Sequence, residues 1–88
     1  MTGEELVRLD ALVRALQGQG AEALAYGVSR LFPHLSTRRC DAADVLEEPY
    51  AAIESCDLHL LDASTHCIRV TSDPVEANAI LIASREAA

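Results

Sequence analysis

Leu6, Leu9, Val13 and Leu16 recur at three- and four-residue spacing near the start of the chain, with Arg8, Asp10, Arg14 and Gln17 on the other faces. That period places the apolar side chains in one stripe along an α-helix. The Thr-Gly-Glu-Glu run from Thr2 to Glu5 has the spacing of a capping box, in which the Thr2 hydroxyl accepts the Glu5 N–H and the Glu5 side chain returns to the Thr2 backbone. The pattern predicts a first helix over about residues 3–17, stopped by Gly18 and Gly20. A second stripe of Leu24, Val28, Leu31 and Phe32 follows, and Pro33 ends it because its ring denies the helix a backbone donor. With so short a connection the two helices must form an antiparallel hairpin, about residues 3–32. Gly27, unfavourable inside a helix, marks a place where the two helices approach closely.

Beyond Pro33 the period changes. Residues 35–40 are short and rich in hydroxyl and arginine side chains, as suits an edge strand that turns Arg38 or Arg39 outward. Residues 57–61 and 66–70 alternate as two strands around a turn at 62–65. Matching the apolar positions places Leu58 and Leu60 on one face with Ile68 and Val70, as in a register that pairs Leu60 with Ile68. Cys56, Asp62 and His66 then share the core face, and His59, Leu61, Cys67 and Arg69 occupy the other. Ser72, Asp73 and Pro74 signal a turn or so of helix through Ala77, and residues 78–83 form an unbroken apolar run, the signature of a strand covered on both faces. The fold class expected is α+β, a single domain over residues 1–88. Two N-terminal antiparallel helices would pack on a mostly antiparallel sheet of three to four strands, the β-rich part spanning about 35–84.

Charge narrows the choice of partner. The 88 residues carry a formal charge of −7, and all seven basic residues are arginine. A negative field opposes approach to a phosphate backbone, so nucleic acid is not an expected partner. It favours a basic protein surface. No apolar run approaches a membrane span, and the first ten residues already hold Glu4, Glu5 and Asp10, so no membrane association is expected and the expected compartment is the cytoplasm. There the three cysteines, Cys40, Cys56 and Cys67, would remain thiols.

The cysteines and histidines invite a metal reading that strand geometry opposes. Cys56 and His59 are three residues apart, so on a strand they point to opposite faces, and His66 and Cys67 are adjacent and fail in the same way. With Leu60 opposite Ile68, His59 would face Arg69, a cation that disfavours metal binding. No metal site and no cofactor is expected. Cys40, next to Arg38 and Arg39, is the thiol best placed for an electropositive setting, but no catalytic motif accompanies it, and an enzyme is not expected. A small cysteine-dependent redox or metal-handling protein is the alternative. A homodimer closed through the apolar strand, with no other partner, is a third reading.

The stretch from residue 41 to residue 57 holds six acids and no base, with Leu46, Tyr50 and Ile53 among them. Asp41 could cap a short helical turn and Pro49 could open another. Apolar anchors inside a charged rim have the composition of a docking element. Partner contacts are therefore expected from Asp44, Glu47, Glu48 and Tyr50, joined by His59 and Arg69 on the outer sheet face.

The order CDAADVLEEPY, DLHLLD, HCIRVTSDP and ANAILIA, within residues 38–83, resembles a family of small proteins encoded near nitrogen-fixation genes in diazotrophic proteobacteria, of the nitrogenase-associated factor T type. The resemblance implies a cytoplasmic accessory protein that docks on the molybdenum–iron component of nitrogenase in a protective or chaperone-like role, without catalytic residues of its own.

Overall fold

The computed structural model describes residues 1–53, 55–64 and 67–85. Helix α1 (Gly3–Ala15) begins at the capping box: the Thr2 hydroxyl accepts the Glu5 N–H at 3.1 Å, and Glu5 Oε1 accepts the Thr2 N–H at 2.8 Å. Helix α2 (Ala21–Leu31) starts at Gly20 without a side-chain cap and stops at Phe32, just before Pro33. Both helices end slightly earlier than the apolar pattern predicts. They meet at Gly27, where an added Cβ would lie 3.1 Å from Leu12 Cδ1 and 3.3 Å from Leu16 Cδ1.

The sheet follows. Strand β1 (Ser36–Asp41) leads into a single 3-10 turn (Ala42–Asp44), which Asp41 caps by accepting the Ala43 N–H. Then come β2 (Ala51–Ala52), β3 (Cys56–Asp62), β4 (Arg69–Thr71) and β5 (Ala79–Ser84). Strand order is β1-β5-β3-β2, with β4 also paired to β3. Strand β1 runs parallel to β5, and the remaining pairs are antiparallel. The class is α+β as expected, but five strands are present among the described residues, because β2 and β4 share one edge of β3. Pro49 opens no helix, and residues 73–77 make a turn, with the Glu76 N–H donating to Asp73 O and the Ala77 N–H to Pro74 O.

The helices lie on one sheet face. Leu9 and Val13 of α1 and Leu24 and Val28 of α2, with Phe32 beyond it, pack on Leu58 and Leu60 of β3 and on Ile80 and Ile82 of β5. Burying a side chain of this kind contributes about 1.5–3 kcal/mol. Alternation sends His59, Leu61, Ala79 and Ala83 to the opposite face, where they too are buried. Strands β3 and β5 are thus covered on both faces, as the unbroken apolar run near the C-terminal end predicts.

The β3–β4 register differs from the expected one. Leu60 pairs with Thr71, Leu61 with Val70 and Asp62 with Arg69. Relative to a Leu60–Ile68 pairing, the strand has slipped from residue 68 to residue 71, an odd number of steps that exchanges the two faces of β4. Ile68 is 41% exposed instead of buried, and Val70 lies opposite Leu61, away from the helices. Side-chain polarity accounts for the shift. Asp62 accepts the Ser64 hydroxyl at 2.6 Å and the Ser64 N–H at 3.0 Å, and Arg69 donates to its other oxygen at 3.1 Å. The Thr71 hydroxyl donates to Glu76 at 2.9 Å. The part of the predicted strand at His66 lies outside the described residues.

Candidate functional site

Strand β3 has two short partners on the same edge. Antiparallel pairing sets Ala51 opposite Leu58 and Thr71 opposite Leu60, so the chain entering β2 and the chain leaving β4 arrive together at the level of His59. Neither can continue along β3 there, and they diverge. Between them lies a cavity of about 450 Å3, with residues 47–50 as one wall and residues 70–72 as the other.

The first wall holds three of the residues expected to contact a partner. Glu47 and Glu48 are exposed at its lip, and Tyr50 is tied at both ends: its N–H donates to Leu58 O at 2.8 Å and its hydroxyl donates to Asp10 Oδ1 of α1 at 3.4 Å. Burial, and then the Asp10 carboxylate, push the Tyr50 phenol above its ordinary range, so the ring is a neutral, anchored surface. The second wall, Val70, Thr71 and Ser72, adds an apolar side chain and two hydroxyls that the sequence pattern did not single out. Among the described residues no basic side chain lines the cavity. Leu46, next to the first wall, is 95% exposed, and Val75, three residues past the second, is 83% exposed.

The other three expected contacts lie elsewhere. Asp44, at the end of the 3-10 turn, is exposed but lines no part of the cavity. His59 does not belong to the outer surface: it is 2% exposed, paired across the sheet with Leu81, and its Nδ1 has no hydrogen-bond partner among the described residues. Arg69 does not face His59. The register turns it to the other face of the sheet, where it is opposite Asp62 and 3.6 Å from Glu76 Oε2. The Ser64 hydroxyl, the Ser64 N–H and the Arg69 guanidinium hold the Asp62 carboxyl down at about 2.

Cys40 does not have the electropositive setting considered for it. Cys40 is half-buried at the end of β1, and burial, Asp44 and Asp41 all raise its pKa. Burial raises that of Cys56 as well, outweighing the Ser55 hydrogen bond. A raised pKa depletes the thiolate, the nucleophilic form. Cys56 and His59 lie on opposite faces of β3, and among the described residues no three His, Cys, Asp or Glu side chains converge as metal ligands would. Among the described residues no helix is long and apolar enough to cross a membrane.

A family model described as a family of unknown function, DUF6129, matches residues 10–85. No curated protein and no solved structure matches the chain.

Proposed function

We propose that this chain, which belongs to the DUF6129 family of unknown function, is a non-catalytic accessory protein of the cytoplasm that binds a partner protein in a protective or chaperone-like role. The observation that carries the reading is the cavity at the β2–β4 junction, which combines two carboxylates, an anchored aromatic ring and two hydroxyls with exposed apolar side chains close by in the chain. An apolar and aromatic centre inside a charged rim is how docking surfaces divide the work, the first supplying affinity and the second orientation. A partner with a basic patch would be drawn in by the net charge of −7 and held at Glu47 and Glu48. The resemblance of residues 38–83 to proteins encoded with nitrogen-fixation genes makes the molybdenum–iron component of nitrogenase the partner to try first.

The test is capture from an anaerobic native extract of a diazotroph, comparing the chain with its Glu47→Arg/Glu48→Arg variant. The variant should retain less of the molybdenum–iron protein, associate more slowly, and lose much of the salt dependence of association. Equal capture by both chains would remove the cavity from the interface. Failure of the parent chain to retain the molybdenum–iron protein would remove that partner.

A further inference from the structure

We propose that the open edge of β1 is a second docking surface, which accepts an extended acidic segment of a partner protein as an added strand. Strand β1 ends the sheet on the side away from the cavity, and its six residues pair in continuous register with β5 alone. Beyond that ladder, residues 36–40 make no backbone hydrogen bond among the described residues. Every second residue therefore turns an unmatched N–H and C=O outward, a template for another strand.

The side chains decide which strand can use it. Arg38 and Arg39 are both exposed and, being adjacent on a strand, flank the edge above and below. Arg8, Arg69 and Arg85 each engage a carboxylate, whereas Arg38 and Arg39, like Arg14 and Arg30 on the helices, form no ion pair among the described residues, and of these four they are the two on the open strand. The nearest acid along β1, Asp41, is occupied in capping the 3-10 turn.

A second copy of this chain is disfavoured by the same pair. If two β1 strands paired antiparallel about their centre, Arg38 would stand opposite Arg39, or either would stand opposite itself, and like charges directly across a strand pair repel. A strand with acids at two adjacent positions reverses that sign on both faces. Arginines that blunt self-pairing thus become a selection for acidic strands. This surface is independent of Glu47 and Glu48, so it can fail or succeed whatever the fate of the cavity.

The experiment uses the whole chain, isotopically labelled for amide spectroscopy. Two blocked seven-residue peptides serve as probes, one with valine and threonine around a central Glu-Glu, the other with Lys-Lys in its place. The Glu-Glu peptide should shift the amides of residues 36–41 and slow exchange of the outward-facing ones at least tenfold, with the Lys-Lys peptide without effect. The Arg38→Glu/Arg39→Glu variant should exchange the two preferences. Should it fail to fold, Arg38→Gln/Arg39→Gln should weaken the Glu-Glu peptide at least fivefold. Shifts without slowed exchange would mean loose ionic attraction and overturn the added strand. Slowed exchange that depends on protein concentration alone would mean that a second copy covers the edge, which overturns the proposal equally.

Discussion

His59 is where reading residues one at a time goes furthest astray. Strict alternation puts it on an outer face, because the sequence of β3 shows only that Leu58 and Leu60 belong together. The adjacent pair Leu60 and Leu61 is the signal that both faces are covered, and His59 lies just before it. A buried ring nitrogen without a partner is destabilising by about 1–3 kcal/mol. Replacing His59 with leucine, similar in volume, is expected to raise stability by about 1 kcal/mol, read as a higher urea midpoint at unchanged slope. Gly27 was legible from helix propensity, and the structure supplies its reason in Leu12 and Leu16. Alanine there gains about 1 kcal/mol of helix propensity while pressing on flexible leucine tips, so Gly27→Ala should be close to neutral, whereas Gly27→Leu should lose about 1–3 kcal/mol from overpacking. Asp62 has a pH signature. Its folded-state value of about 2 lies below the ordinary aspartate value of about 3.9, so its contribution is fully present above pH 4 and is lost as pH falls toward 2. Urea midpoints followed from pH 5 to pH 2 should fall less steeply in Asp62→Asn than in the parent chain.

Elements whose signals are local could be read directly from the chain. Helix α1 is set by a capping box four residues long, and α2 by Pro33, so both appear within two residues of the expected ends. Thr2→Ala removes the hydroxyl that accepts the Glu5 N–H and should lower stability by about 1 kcal/mol, measured by thermal or urea unfolding. Pairing between strands is a different kind of information. Apolar matching chose Ile68 as the partner of Leu60, yet the register that forms satisfies Asp62, Arg69, Thr71 and Glu76 together, a network of side chains spread from residue 62 to residue 76. The same slip assembles the cavity. It brings Thr71 and Ser72 beside Tyr50, a juxtaposition no local pattern contains, whereas the acidic wall itself was evident from composition. Asp44, in the same acidic stretch, was grouped with Glu47 and Glu48 by charge alone, but it ends the 3-10 turn and lines no part of the cavity.

At the scale of the molecule, charge and topology act together. The acidic wall and the arginine edge sit at opposite ends of one sheet, so a partner could meet either without obstructing the other. A net charge of −7 and an arginine pair on the open strand both oppose self-association. The pure chain is therefore expected to sediment as a monomer at low salt even at high concentration, and a dimer there would favour closure through a sheet surface. Strand order itself lay beyond sequence reasoning, because the pairing of β1 with β5 joins residues near opposite ends of the β-rich part. That pairing also orders events during synthesis. Both helices and β1 leave the ribosome early, but β1 has no strand to join until residues 79–84 emerge. Strand β1 can then join the sheet only in a late step, and until it does the apolar faces of the helical hairpin lack the cover of Ile80 and Ile82. Nascent chains arrested before residue 79 should therefore remain sensitive to protease throughout, with no folded N-terminal fragment released.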